Sequence, residues 1–455
     1  MSAPKLNLKE SMRLYREALK LFPAGVNSNA RLWRSTCPTY MPCTLFVKRA
    51  EGSHIWDVDG NEYIDYRLGY APVVLGHNHP SIKKALHKAH EHADVYALEN
   101  PIEIEVAKKI KKCVPSMQLM RFANSGTEAT MAAIRVARAH TKKDKIIKFD
   151  GHYHGAHDYV LFSTKHRFGS EQKKYTKLSV ASAGIPKLVN KLVIVEDWNN
   201  FDAIEKTVKK QHSEVAAIIT EPIMGNGGAI MPRPGYLKHL KELCEKYGML
   251  LIFDEGKTGF RVSLGGAQKL FGVRPHLSTF AKALGNGFPI ALFGGEKGVM
   301  EQVGPGKVVH GGTYSANPAA MIAASATLDM LMKASTFRHL NSYGRRMMKG
   351  IDSILTHHNI PHIVHGAPEM FQFLFTHRHH IFDYRELRFC DKTLYARFQY
   401  EMLKRGVMFD EDNEEPIYDS LSHSDKDLNH TLVAFEDSVH DALIPRTPLM
   451  SYVMG

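Results

Sequence analysis

The sequence predicts an α/β fold with a mostly parallel sheet, and three observations carry that prediction. Short apolar runs alternate with amphipathic stretches from about residue 115 to 295. The chain of 455 residues is 44% hydrophobic, enough to bury a large core. Beyond about residue 320 the texture changes, which marks off a smaller second unit.

From the N-terminus, Leu8, Met12, Tyr15, Leu19 and Phe22 recur at helical spacing, so an amphipathic helix opens the chain and docks on the body. The alternation then runs LMRF, a helix from Glu128, KIIKF, KLVIVE, AAIIT, a helix near Tyr236 to Tyr247, LLIFDE and IALFGG. In sheets of this kind a ligand sits at the carboxyl ends of the strands. A long helical stretch, AAMIAASATLDMLMKA, leads into a region that ends in a charged loop, DEDNEE, and a last helix. The expected division is an N-terminal segment over 1–75, a large domain over 76–320 and a small domain over 321–455, the first packed with the last.

Composition narrows the function. The formal charge of +12 comes from dispersed basic residues without a nucleic-acid motif, which favours anionic small molecules over nucleic acid. No run approaches the ~18 to 20 apolar residues of a membrane helix, and the opening has no apolar signal core, so no membrane association and a cytoplasmic location are expected. Cys37, Cys43, Cys113, Cys244 and Cys390 lack any close CxxC pair and read as reduced thiols. His377, His379 and His380 lack the spacing of a metal site, and no structural metal is expected.

Candidate chemistry gathers at three places. In LLIFDEGKTGFR, Asp254 ends an apolar strand where a ligand would meet it, although such a carboxylate is as often a cap for the following turn. Lys282, in STFAKALGNGFPIA, follows another short apolar segment with little other charge nearby. Burial lowers a lysine's pKa and yields the neutral amine that Schiff-base chemistry needs. A carboxylate for a pyridinium nitrogen and a lysine for an aldehyde carbon are what pyridoxal phosphate requires of its protein. In ANSGTEAT, Ser125, Gly126 and Thr127 stand at a helix N-terminus, either as a phosphate seat or as an ordinary cap.

Taken in order, GVNSNAR (25–31), GSHIWDVDGNEYIDY (52–66), LGHNHP (75–80), NSGTEATMAAIRVAR (124–138), FDGHYHG (149–155), TEPIMGNGG (220–228), the IFDE and AK segments and GGTYSANP (311–318) resemble the class III aminotransferases. They are most similar to the glutamate-1-semialdehyde 2,1-aminomutase branch. The resemblance covers nearly the whole chain. It implies a fold type I pyridoxal-phosphate transferase, with a large cofactor-binding domain and a smaller α+β domain from the two chain ends. It further implies that Lys282 carries the cofactor and Asp254 meets the ring nitrogen. Ser125, Gly126 and Thr127 would hold the phosphate, Tyr153 would stack on the ring, Asn226 would lie near the ring hydroxyl and Glu221 would help fix the site. Thr313 would reach the neighbouring subunit's phosphate, which implies a homodimer with shared active sites.

The resemblance also matches Ser28 and Arg31 to residues for a substrate carboxylate and Glu415 to a glutamate near the substrate amine. Two departures stand out: Gly256 replaces a valine that packs on the ring, and GGTYSANP replaces a GTLSGNP-like run. Residues 163–187 sit where the branch carries a lid, with an interior unlike it. Weighing the altered GGTYSANP run and the lid interior against the retained Ser28, Arg31 and Glu415, the expected activity is an aminotransferase acting between an amino acid, including one with a non-α amino group, and a keto acid. The aminomutase is the alternative. An amino-acid racemase and a non-catalytic cofactor-binding relative stand behind both.

Overall fold

A computed structural model describes residues 6–32, 40–88, 94–164 and 178–444. Its centre is a seven-stranded sheet in the order Leu119–Ala123, Ala291–Gly295, Leu277–Phe280, Leu250–Glu255, Val215–Thr220, Lys145–Phe149, Val193–Glu196. Only Ala291–Gly295 runs against its neighbours in this sheet, so the mostly parallel expectation holds.

The three strands Val215–Thr220, Leu250–Glu255 and Leu277–Phe280 are buried along their whole length, as a sheet covered on both faces demands. Alternation of side chains divides them between two cores. Ala217, Ile219 and Ile252 pack with Ala129, Ala132, Ala133 and Ala137 of helix Gly126–Thr141. Ile218, Leu251 and Phe253 pack instead with Leu237, Leu240 and Leu243 of helix Tyr236–Tyr247. The small alanines let the first helix lie close to the sheet, with its N-terminus at the strands' carboxyl edge.

The chain ends join. Val47–Glu51, His54–Asp57 and Glu62–Asp65 form a sheet whose fourth strand is Val407–Met408, parallel to Glu62–Asp65. His362–Ala367, Met370–Phe375 and Ile417–Tyr418 form a further antiparallel sheet. Ile64 and Tyr66 share a core with Tyr343, Phe373, Phe398 and Phe435. The expected first helix spans Lys9–Leu21, and Asp59 caps it by accepting from the amides of Glu10 and Ser11 at 2.6 and 2.9 Å.

The charged DEDNEE loop, residues 410–415, is buried throughout. Buried carboxylates need partners. Asp410 and Glu411 meet Arg67 at 2.7 and 3.3 Å, Glu414 meets Lys392 at 2.5 Å and accepts from Tyr384 OH at 2.9 Å, and Glu415 meets Lys257 at 2.7 Å. Those partners come from distant parts of the chain, so the burial of the loop is not evident from its composition.

Cys43, Cys113, Cys244 and Cys390 are buried free thiols; Cys37 lies outside the described residues. His377, His379 and His380 are exposed, and among the described residues no group of three or more His, Cys, Asp or Glu is placed to hold a metal ion. Among the same residues no helix is long and apolar enough to cross a membrane.

Candidate active site

The carboxyl ends of the parallel strands deliver the site. Leu250–Glu255 ends with two carboxylates that the alternation sends to opposite sides. Glu255 is structural: it accepts from the Ala267 amide, the Gln268 amide and Thr258 Oγ1 at 2.7 to 3.0 Å. Asp254 faces the site. Its Oδ1 accepts from Thr279 Oγ1 at 2.9 Å and from the Gly256 amide at 3.0 Å, while Oδ2 lies 2.8 Å from His154 Nδ1. The turn-cap alternative is therefore partly true of Asp254.

Lys282 follows strand Leu277–Phe280 with a backbone φ of 50°, a left-handed conformation unfavourable for a lysine. Such strain is kept where the surrounding structure fixes it, and it clusters at functional sites. The part-buried amine is pushed down to about 7, first by burial and then by the neighbouring charge of Lys257. Glu415, Glu221 and Asp254 act in the opposite direction. A large fraction of this amine is neutral at neutral pH.

Glu221, just past strand Val215–Thr220, is a buried organiser. Its Oε1 accepts from the Tyr153 amide at 2.8 Å, its Oε2 from the Gly225 amide at 3.0 Å, and both oxygens lie 3.1 Å from Asn226 Nδ2. Burial raises its pKa. Asn226 thus turns its side-chain nitrogen to Glu221. Tyr153 is held through its backbone, and its side chain remains 42% exposed.

Ser125 caps helix Gly126–Thr141 in a capping box with Glu128, so the ordinary-cap alternative is satisfied here too. Glu128 occupies the Asn124 and Ser125 amides at 2.6 and 3.2 Å. The first-turn amides of Gly126 and Thr127 have no partner within the helix and supply anion-binding donors. Thr127 Oγ1 accepts from the Ala156 amide at 3.1 Å, which leaves its hydroxyl hydrogen to donate. Gly155, at φ 101°, is needed beside it, because a Cβ there would stand 2.6 Å from Thr127 Oγ1.

The remaining expected residues divide. Glu415 joins the cluster through Lys257 and through Tyr418 OH, which donates to it at 2.8 Å. Ser28 and Arg31 are exposed on a short turn whose Ala30 carbonyl accepts from Tyr70 OH and Arg67. Thr313 is exposed on this chain, in a cleft of about 790 Å³ lined also by Leu98, Ile104 and Arg121. Residues 165–177, the interior of the expected lid, lie outside the described residues.

His154, Thr279 and Lys257 escaped the sequence reading. His154 stood inside the quoted FDGHYHG, and Lys257 directly follows Gly256. Each acts on a residue far along the chain, a relation that local spacing does not display.

A lysine amine, a braced carboxylate and free amides at a helix N-terminus suit pyridoxal phosphate: one group for its aldehyde, one for its nitrogen, one for its phosphate. The family model described as aminotransferase class-III matches residues 36–438. The chain belongs to the class III aminotransferases. It is 40% identical over 436 residues to the glutamate-1-semialdehyde 2,1-aminomutase of Ignicoccus hospitalis, covering 95% of this chain and 99% of that one. To the enzyme of the same name from Thermodesulfovibrio yellowstonii it is 41% identical over 426 residues, 93% and 97% of the two chains. Among solved structures, an omega-transaminase from Sphaerobacter thermophilus superposes with a TM-score of 0.89 at 29% identity, covering 96% of this chain and all of that one. Within the class III family the aminotransferase fold is thus kept across relatives named for two reactions.

Proposed function

We propose that this class III enzyme moves an amino group on a small carboxylated amine with pyridoxal 5'-phosphate held by Lys282, and that the reaction is the isomerisation of glutamate 1-semialdehyde. The observation that carries the cofactor is a strained, part-buried Lys282 just past strand Leu277–Phe280 together with an Asp254 at the end of the adjacent strand Leu250–Glu255, braced by Thr279 and His154. The reaction rests on kinship along nearly the whole chain with enzymes named for it. That kinship reverses the order in which the altered GGTYSANP run and the lid interior placed the two activities.

When bound, the cofactor supplies the electron sink that makes a carbon next to nitrogen acidic. Asp254 would meet the ring nitrogen, and its bonds to Thr279, Gly256 and His154 keep it from turning away. The Gly126 and Thr127 amides, with the Ser125 and Thr127 hydroxyls, hold the phosphate. Tyr153 offers its open ring as one wall, and Glu221 fixes that wall by the Tyr153 amide. Lys282, neutral for much of the time near pH 7, accepts and returns a proton at Nζ. Ser28 and Arg31 receive the substrate carboxylate. Thr313 serves the site of a second copy, and Leu98, Ile104, Val309 and Tyr314, between 61 and 81% exposed, give that copy an apolar face to cover.

Transamination between an amino acid and a keto acid is the second reading. One observation favours it: Lys257 occupies Glu415, the carboxylate assigned to the substrate amine. The test is to supply purified enzyme, loaded with cofactor, with glutamate 1-semialdehyde alone, and separately with amino donors plus 2-oxoglutarate or pyruvate. Conversion of the single substrate to its isomer supports the first reading. Turnover only with paired substrates overturns it in favour of the second.

A further inference from the structure

Arg67, two positions past strand Glu62–Asp65, has its side chain only 13% exposed. Its Nε lies 2.7 Å from Asp410 Oδ2 and its Nη1 3.3 Å from Glu411 Oε2. Its Nη2 turns the other way, donating to the Ala30 carbonyl at 3.2 Å and to Tyr70 OH. Tyr70 OH passes its own hydrogen to the same Ala30 oxygen, and the guanidinium lies 4.7 Å from the Tyr70 ring centroid. A planar fork used on both sides in this way is fixed in orientation, as a flexible ammonium would not be.

The backbone goes to some length to place Tyr70. Leu68, Gly69, Tyr70 and Ala71 have φ of 45°, 64°, 69° and 90°, four left-handed residues in succession of which three carry a Cβ. Asp65 Oδ1 holds the start of this stretch, accepting from the Arg67 and Leu68 amides at 2.9 and 3.0 Å. Arg261 holds its end, donating to the Ala71 carbonyl from Nε and Nη2 at 3.1 and 2.6 Å. Strain fixed from both ends belongs with function more often than with packing. Its result is a tyrosine folded back onto Arg67 and the 28–31 turn.

That turn has little else to place it by burial, since residues 27–31 are all exposed. The peptide joining Ala30 to Arg31 is pinned at both polar atoms: its oxygen by Arg67 and Tyr70, its nitrogen by donation to the Ser28 carbonyl at 2.9 Å. We propose that Arg67 and Tyr70 are positioning residues that latch the 28–31 turn to the buried acids Asp410 and Glu411 and so present Arg31 for a substrate carboxylate. The latch joins the first segment of the chain to the 410–415 loop. Its consequence for binding rests on the reading of Ser28 and Arg31 as the carboxylate site and is independent of which of the two reactions follows.

The test compares two ligands of cofactor-loaded enzyme, 5-aminopentanoate and pentylamine, which differ in the carboxylate alone, by titrating the cofactor absorbance. The wild type is expected to prefer the carboxylated amine, and Arg31→Met to remove most of the preference. Arg67→Met should shrink it by roughly tenfold, the loss of a hydrogen bond from a charged group, and leave pentylamine binding unchanged. Tyr70→Phe should shrink it by less, and Arg67→Lys should restore it only in part. In the cofactor-free protein, rapid-mixing hydrogen exchange reads the turn itself. The Arg31 and Leu32 amides, bonded to the Ser28 and Asn29 carbonyls, should exchange faster in Arg67→Met and in Tyr70→Phe. If Arg67→Met fails to fold because two acids lose their cation, Arg67→Met with Asp410→Asn and Glu411→Gln replaces it, and Tyr70→Phe keeps every charge. A preference that Arg31→Met removes and the Arg67 and Tyr70 variants leave intact overturns the proposal. Full recovery in Arg67→Lys overturns it too, since charge alone would then suffice. A preference untouched by Arg31→Met removes the carboxylate reading instead; the exchange rates then decide the latch, and unchanged rates overturn it.

Discussion

Two lysines in this protein share a depressed pKa and have different surroundings. Lys148, at the end of strand Lys145–Phe149, and Lys282, after strand Leu277–Phe280, are both pushed down to about 7, in each case chiefly by burial. Lys148 is fully buried, and its Nζ donates to the carbonyls of His152, at 2.9 Å, and Phe162. Backbone oxygens hold it, and it ties the loop that carries Tyr153 and His154. Asp150 and Glu221 act on Lys148, and Lys257, Glu415, Glu221 and Asp254 on Lys282, which differs in sitting on a strained turn past its strand. A low pKa alone does not mark a catalytic amine. Lys282 differs in its strained backbone and in a braced carboxylate, Asp254, at the end of the adjacent strand.

The largest expected effect separates the two. Lys282→Ala should abolish both the visible absorbance of the bound cofactor and steady turnover, whereas Lys148→Met should retain a cofactor bond that borohydride traps on Lys282. Trapping on another lysine in the Lys282 variant would reverse the assignment. Loss of two buried hydrogen bonds should cost Lys148→Met about 1–3 kcal/mol in stability, read by denaturant unfolding.

Asp254→Asn comes next. It nearly preserves shape but loses the charge, so turnover should fall on the order of a hundredfold with folding little changed. Near-normal turnover with cofactor bound would reduce Asp254 to a turn cap.

Much of this site was legible in the sequence because its parts are local. The strand LLIFDE announces its own end, and NSGTEA announces a helix start, so Asp254 and the amides of Gly126 and Thr127 could be placed. Lys282 stood out because its apolar surroundings made a charge there costly. The bracing of Asp254 by His154, 100 positions away, and of Glu415 by Lys257, 158 away, was not legible. Sheet topology makes those contacts. The same cause hid the burial of DEDNEE, whose cations Arg67, Lys257 and Lys392 are scattered along the chain.

A smaller effect concerns pH and both lysines together. Each has an ordinary value of 10.5 and a folded value of about 7. Between these limits the unfolded chain binds more protons than the native one, so stability of the cofactor-free protein should rise with pH from about 7 to 10.5. Below about 7 both states are protonated at these groups, and their contribution to the slope ends. Lys148→Met should flatten the rise, and Lys282→Met should flatten it by a comparable amount. An unchanged slope of melting temperature against pH in both variants would mean that the two amines stay charged in the fold.

The smallest expected effect sharpens what surrounds Lys282 on the ring's far side. Gly256 does not adopt a left-handed backbone, so a side chain is not excluded by conformation. A Cβ built there meets only the Asp254 carboxylate, with Oδ1 at 3.1 Å and Cγ at 4.0 Å. The space is otherwise open, in agreement with the loss of a ring-packing valine. The one close contact is with an oxygen already bonded to the Gly256 amide, and a shift of a few tenths of an ångström relieves it. Burying a valine side chain is worth ~1.5 kcal/mol or more, most of which should appear in cofactor affinity. Gly256→Val should therefore bind pyridoxal phosphate more tightly, by up to about tenfold, when cofactor-free protein of both forms is titrated. Weaker binding by the valine form would mean that Asp254, held by Thr279 and His154, cannot yield, and that the rigidity of the acid outweighs the missing wall.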